Sequence, residues 1–147
     1  MKLQESPKKS LGQNFLIDNN IINKIIEIGN IQKNKTILEI GAGYGNLTKK
    51  LASMNPRKIY AIEKDKKLVF FLKKNLASFK NVQIIENDIF NFIEQKHFGR
   101  NIIVFGNLPY NISTQILASL VLLQDWPPWY DSLILMFQKE VADRIIA

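Results

Sequence analysis

The sequence predicts an α/β domain with a doubly wound, mostly parallel sheet, and three observations support this prediction. Short apolar runs rich in β-branched residues alternate with segments whose apolar residues recur at helical spacing. The first run, 36–40, ends in three glycines at alternate positions, Gly41, Gly43 and Gly45, and a helix follows from near Tyr44. Carboxylates then follow two later runs directly. A strand that ends in glycines and leads into a helix is typical of the first βα turn of this fold.

The individual elements can be read in order along the chain. Five runs are predicted to be strands: 36–40, 58–62, 82–85, 101–105 and 132–137. A stripe of isoleucines predicts a helix before the first strand, with Asp18 or Asn19 as its N-cap and Gly29-Asn30 at its end. Further helices are predicted over 44–54, 66–79 and 114–123, and another opens at Gln138. The helix over 114–123 is apolar on most sides, so we expect it to be well buried.

Composition limits the class of protein. At 147 residues and 46% apolar residues, the chain has the size of one domain with a substantial core. It has no cysteine and one histidine, which argues against disulfides and against a metal site built from those residues. No signal peptide is visible and no apolar run reaches membrane-spanning length. We therefore expect a cytoplasmic protein with no metal and no membrane partner.

The formal net charge is +7, which suits a polyanionic partner such as RNA. A second interpretation stays open, because Lys, Asn and Ile are all abundant and are favoured by AT-rich codons. The predicted helix over 66–79 shows the same ambiguity. Lysines point mostly outward along it and just beyond it, and they fit either a solvated face or an RNA contact: Lys66, Lys67, Lys73, Lys74 and Lys80.

The glycine turn favours one ligand over another. A dinucleotide-binding turn has the pattern G-x-G-x-x-G, whereas this chain has Glu39-x-Gly41-x-Gly43-x-Gly45. The acid two residues before the first glycine is the methyltransferase variant, which cradles the amino-acid part of S-adenosylmethionine (AdoMet). The alternative is an ordinary glycine turn of a phosphate-binding α/β protein.

Acidic residues at two strand ends extend the same hypothesis. Glu63 follows the second strand, where a doubly wound fold places a ribose, and its carboxylate could accept hydrogen bonds from both ribose hydroxyls. Asp65 is better placed to cap the next helix. Asp88 follows the third strand and either accepts a hydrogen bond from an adenine amino group or acts as a cap. Ile89 and Phe90 could wall the adenine.

A second chemical stretch, Asn107-Leu108-Pro109-Tyr110, follows the fourth strand. It is one form of the [Asn/Asp]-Pro-Pro-Tyr type of motif, found where an exocyclic amine is methylated. The Asn107 side-chain oxygen and a nearby backbone carbonyl can accept the amine protons, which directs the nitrogen lone pair at the methyl donor. Tyr110 offers a ring for stacking and Pro109 stiffens the loop. The alternative is a plain Pro-Tyr turn before a helix.

Together these stretches resemble one family, the small-subunit ribosomal RNA adenine N6-dimethyltransferases, with relatives that act on large-subunit rRNA and confer macrolide resistance. The resemblance covers almost the whole chain and includes segments 10–18, 39–48, 107–114 and 136–144. Segment 138–144 is closer to the small-subunit branch. The chain has Gln115 where many members have proline, a departure of small expected consequence.

The resemblance implies a Rossmann-like class I AdoMet-dependent methyltransferase fold. It places Leu108 and Tyr110 at the target base, and Asn107 at both base and cofactor. The cofactor residues that it implies, together with those of the glycine turn and the adenine wall, are Asn14, Leu16, Gly41, Gly43, Glu63, Asp88, Ile89 and Asn107. The implied partner is rRNA in the small ribosomal subunit, and the implied state is a monomer with a role in ribosome biogenesis.

The resemblance also implies that residues 1–147 form an incomplete catalytic domain, C-terminally truncated, followed in the family by further strands and a helical RNA-binding domain. We therefore expect this chain alone to be inactive on rRNA. A non-catalytic rRNA-binding assembly factor and a large-subunit rRNA methyltransferase remain alternatives. A nicotinamide dehydrogenase would require the pattern G-x-G-x-x-G and a catalytic His or Tyr-Lys pair, and the sequence shows neither.

Overall fold

The computed structural model describes residues 18–94, 99–123 and 125–147, and within them five parallel strands form one sheet. The strands are β1 (Thr36–Ile40), β2 (Lys58–Glu63), β3 (Val82–Glu86), β4 (Ile102–Asn107) and β5 (Ser132–Met136). The helices are α1 (Asn19–Gly29), α2 (Asn46–Ser53), α3 (Lys66–Asn75), α4 (Ile89–Glu94), α5 (Ser113–Val121) and α6 (Lys139–Ile145). The doubly wound α/β prediction is confirmed.

The strand order is β3-β2-β1-β4-β5, so the chain first winds outward from β1 and then returns to its other side. The reversal lies between β1 and β4, where Ile40 is paired with Gly106. On the opposite side of β1, Ile40 is paired with Ile62. The carboxyl ends of β1, β2 and β4 therefore meet at one edge, which is where open α/β sheets bind their ligands.

Helices cover both faces of the sheet. One apolar cluster joins α1 and α2 to β1, β2 and β4, and Leu72 and Leu76 of the α3 region pack beside it on Ala61. The other face is covered by α4 and α5, whose Phe92, Ile116 and Leu120 pack on the central strands. Because both faces are covered, the central strands are almost continuously buried, as parallel sheets require.

The strand predictions are close to the structure, and one boundary matters. We predicted that the fourth strand ends at Phe105, but β4 continues through Gly106 to Asn107. Glycine weakens a strand locally, yet here Gly106 is paired on both sides, with Ile40 and with Leu135. A side chain at position 106 would clash, since its Cβ would lie 2.7 Å from Leu108 Cδ2. Asn107 is thus the last residue of a strand and not part of a loop.

Several helix predictions were wrong in detail. Helix α2 begins at Asn46, not near Tyr44, because Gly45 is still in the left-handed region with φ of 85°. Helix α3 ends at Asn75 rather than Phe79, and a turn follows in which the Phe79 N–H donates to the Leu76 carbonyl. The sequence did not predict α4.

The prediction that the helix over 114–123 is buried on most sides was also wrong. Helix α5 spans Ser113–Val121, and only Ser113, Ile116 and Leu120 are buried in it. Val121 is 43% exposed, and Leu122, just past its end, is 78% exposed. The apolar composition of a helix does not show how many of its sides pack against neighbouring elements.

Among the helices of the described residues, none combines the length and apolar character that a membrane crossing requires. The same residues contain no group of three or more His, Cys, Asp or Glu side chains placed to hold a metal ion.

Candidate functional site

The site begins at the glycine turn between β1 and α2. Gly41, Gly43 and Gly45 have φ of 72°, 59° and 85°, a region that only glycine adopts without strain. The turn also approaches β4, because a Cβ on Gly41 would lie 3.8 Å from the carbonyl oxygen of Asn107. The glycine stretch and the Asn107 stretch, 66 positions apart in the chain, are therefore adjacent at the sheet edge.

Glu63 holds the glycine turn from the neighbouring strand. Its Oε2 accepts a hydrogen bond from the Gly43 N–H at 2.9 Å, and its Oε1 accepts from the N–H groups of Lys64 and Asp65, both at 2.9 Å. Burial raises the pKa of Glu63, while these backbone N–H donors act in the opposite direction. The sequence predicted Glu63 as a ligand residue and did not predict that it also fixes the conformation of the turn.

A second buried acid lies beneath the turn. Glu39 is 2% exposed in β1, and its Oε2 accepts a hydrogen bond from the Thr48 hydroxyl in α2 at 2.5 Å. Burial raises the pKa of Glu39 to about 8, against a smaller opposing effect of the Thr48 hydrogen bond and a small reinforcing one from the Glu63 charge. The bond ties the strand before the glycines to the helix after them. Sequence reasoning missed Thr48, although a hydroxyl in the first turns of α2 was a usable signal.

Asp88 lies two residues past the end of β3 and has two partners. Its Oδ1 accepts from the Phe90 N–H at 2.9 Å, and its Oδ2 pairs with the Lys64 ammonium at 3.0 Å. Desolvation raises the pKa of Asp88, but the hydrogen bonds from Lys64 and Phe90 and the Lys64 charge outweigh it, so the net pKa is lowered. The capping role is present in the structure. The predicted hydrogen bond to an adenine stays a prediction.

The Asn107-to-Tyr110 stretch leaves the sheet at the same edge. Asn107 is half-buried, Leu108 is only 2% exposed and packs in the core, and Tyr110 is 41% exposed. The Ile112 N–H donates to the Pro109 carbonyl at 3.1 Å, which closes the turn before α5. The Leu108 side chain is thus a core residue, and a target base could use only its backbone. Within this stretch, Tyr110 is the residue whose ring is open to solvent.

The structure brings most of the predicted residues to one sheet edge. Those at strand ends or within three residues after them are Gly41, Gly43, Glu63, Asp88, Ile89 and Asn107. Ile89 is buried as the first residue of α4. The predicted residues Asn14 and Leu16 lie outside the described residues.

Comparison with known proteins gives a consistent result. A model of the family described as ribosomal RNA adenine dimethylase matches residues 4–147. The ribosomal RNA small subunit methyltransferase A of Pelagibacter ubique (strain HTCC1062) is 50% identical over 140 residues, which are 95% of this chain and 52% of the relative. The protein of the same description from Azorhizobium caulinodans is 41% identical over 144 residues, 97% of this chain and 50% of the relative. The chain spans about half the length of the curated relatives it matches.

Two solved structures extend the comparison. A dimethyladenosine transferase from Plasmodium falciparum superposes with a TM-score of 0.77 at 31% identity, covering 91% of this chain and 46% of that one. The 23S rRNA methyltransferase ErmE superposes with a TM-score of 0.76 at 26% identity, covering 88% and 50%.

Proposed function

Because the chain belongs to the ribosomal RNA adenine dimethylase family, we propose that it binds AdoMet and contributes to methyl transfer to N6 of adenosines in small-subunit rRNA. The observation that best supports this is the meeting of the glycine turn and Asn107 at the sheet edge where Glu63 ends β2. A cofactor seated on the turn would have its reactive end beside Asn107. The proposed role in ribosome biogenesis follows from this substrate.

The residues present fit an adenosyl cofactor with an amino-acid tail. Side chains at 41 and 43 would need an unfavourable φ, so the turn keeps its backbone open to a ligand. Of about four acceptor positions on the Glu63 carboxylate, backbone N–H groups use three, and one remains on Oε2. One ribose hydroxyl can take it. A second hydroxyl would replace the Gly43 N–H, which would couple ribose binding to the turn.

At the other end of the site the residues are suited to an amine. AdoMet supplies an electrophilic methyl group when bound. The adenine amino nitrogen is a poor nucleophile because its lone pair is delocalised into the ring. The Asn107 side-chain oxygen and the Leu108 backbone carbonyl would accept hydrogen bonds from its two N–H groups and orient the lone pair. Pro109 fixes the loop, and the half-exposed Tyr110 ring would stack on the base.

The choice of ribosomal subunit follows the similarity. The Pelagibacter relative, at 50% identity, is named for the small subunit, whereas the large-subunit enzyme ErmE is 26% identical. We therefore consider large-subunit rRNA the less favoured substrate. A non-catalytic assembly factor is also a less favoured function, because it would have no use for Asn107 and Tyr110 together at the cofactor edge.

Glu63→Ala is expected to weaken AdoMet binding by about tenfold or more. Hydrogen bonds to a charged group contribute about 1.5–3 kcal/mol, and each 1.4 kcal/mol is a factor of ten in affinity. The substitution also frees the Gly43 N–H, so the turn loses its anchor. Isothermal titration calorimetry with AdoMet measures the effect.

Glu86→Ala is the matched control for this measurement. Glu86 is exposed and pairs in register with Glu63 on the adjacent strand. The control substitution therefore removes a carboxylate from the same level of the sheet. Its AdoMet affinity should equal that of the wild type. If Glu63→Ala also bound like the wild type, Glu63 would not belong to the cofactor site.

A further inference from the structure

Helix α3 has an exposed face that the proposed methyl-transfer site does not use. Phe70, in the middle of this helix, is 74% exposed. Lys66 lies four positions before it, and Lys73 and Lys74 lie three and four positions after it. All three lysines are exposed. Residues at these spacings are neighbours on a helix surface. The exposed face therefore consists of one aromatic ring with lysines above and below it; we call it the α3 face.

The packing of the domain explains the opposite side of α3 but not this one. Leu68, Val69 and Leu72 are buried against the sheet. Phe71 lies beside Phe70 in sequence but points elsewhere, with its ring against Tyr44 of the glycine turn at 5.2 Å between centroids. Phe70 contributes little to this packing, since most of its side chain is in water.

Helix stability does not account for the lysines either. The positive end of the helix dipole lies at the N-terminus, so cations in the first turn are unfavourable there. Helix α3 begins with Lys66 and Lys67 and has no acidic residue in its first turn. Lys73 and Lys74 in the last turn suit the dipole, but the first pair opposes it. The residues from Lys66 to Asn75 include no acid that could neutralise the face.

The α3 face matches one chemistry. Proteins that bind single-stranded nucleic acid combine cationic side chains along the backbone track with aromatic rings on which bases stack. From Lys66 to Lys74 the face is about 12 Å long, from a rise of roughly 1.5 Å per residue. A membrane surface is a poorer match, because helices that lie in membranes present a broad apolar side, and here that side is buried.

We propose that the α3 face is a second nucleic-acid contact, which binds an unpaired stretch of RNA with a base on Phe70 and phosphates on Lys66, Lys73 and Lys74. That this RNA is the methylation substrate rests on the proposed function. Binding of single-stranded RNA to the α3 face is independent of the proposed function. The face begins at Lys66, three positions after Glu63, and runs away from the ligand edge. It would hold RNA that flanks the target nucleotide.

The test is fluorescence anisotropy with a labelled single-stranded 12-nucleotide RNA and with its duplex, over a series of salt concentrations. Phe70→Ala should weaken binding to the single strand about tenfold. It should change binding to the duplex little, because paired bases cannot stack on the ring. Each of Lys66→Ala, Lys73→Ala and Lys74→Ala should lower the slope of log affinity against log salt by about 0.7.

Lys33→Ala is the matched control. Lys33 is an exposed lysine in the loop before β1, at the amino-terminal ends of the strands and opposite the ligand edge. Its salt slope should equal that of the wild type, and all variants should keep wild-type circular dichroism and AdoMet affinity. The proposal fails if Phe70→Ala binds the single strand like the wild type, or if Lys33→Ala matches the α3 variants. Equal binding of polyglutamate, insensitive to Phe70, would instead assign the face to an acidic protein.

Discussion

Asn107→Ala is expected to lower the rate of methyl transfer on the order of a hundredfold while changing AdoMet affinity much less. The side chain is proposed to act on the target amine as its lone pair becomes available. Interactions made only in the transition state affect kcat, and loss of one such polar contact typically costs a factor of about 100–1,000. The measurement is transfer of labelled methyl groups to unmethylated small ribosomal subunits, combined with calorimetric AdoMet affinity.

The substitution is made in this chain alone and in this chain joined to the part of the Pelagibacter relative that the match does not cover, since the match spans 52% of that relative. The joined protein supplies a measurable rate if this chain alone gives none. Asn91→Ala is the control, because Asn91 is an exposed asparagine in α4. Equal losses of turnover and AdoMet affinity in Asn107→Ala would contradict the proposed action on the amine and leave only a cofactor contact.

Glu39→Gln is expected to remove a large part of the pH dependence of stability. In the folded chain burial raises the pKa of Glu39 to about 8 from the ordinary value of 4.5. Between these values the folded state holds a proton that the unfolded state has lost, so stability falls as pH rises. The stabilisation is complete below about pH 4.5 and is lost up to about pH 8, with a slope of up to about 1.4 kcal/mol per pH unit.

Urea unfolding at pH 5, 6.5 and 8 measures this slope. Wild type should become progressively less stable across the series, and Glu39→Gln should be flatter, because the neutral amide has no proton to lose. A weaker slope of the same sign should remain from Glu63, whose pKa is also raised by burial. Glu86→Gln, at an exposed carboxylate, should run parallel to the wild type. Parallel curves for wild type and Glu39→Gln would show that Glu39 is ionised in the folded chain.

The central strands β1, β2 and β4 could be predicted because they are buried on both faces and so form nearly uninterrupted apolar runs. Only one face of α5 is buried, and its exposed apolar residues Val121 and Leu122 misled the prediction. Helix α4 has six residues, too few to show a period. The extension of β4 through Gly106 depends on backbone pairing with both neighbours, which no local pattern reveals.

The site was predictable where a residue's position in the fold determines its place. The carboxyl ends of parallel strands share an edge, so Glu63, Asp88 and Asn107 could be assigned to it from strand boundaries alone. The partners of those groups could not. That Glu63 binds the Gly43 N–H, that Thr48 donates to Glu39, and that Lys64 pairs with Asp88 depend on side-chain geometry across elements.

The central claim is that the glycine turn and the end of β2 form a site for AdoMet rather than for a dinucleotide. Titration calorimetry of this chain with AdoMet, and separately with NAD, tests it most directly. We predict saturable heat with AdoMet, weakened in Glu63→Ala, and no binding heat with NAD. Saturable heat with NAD and none with AdoMet would contradict the account.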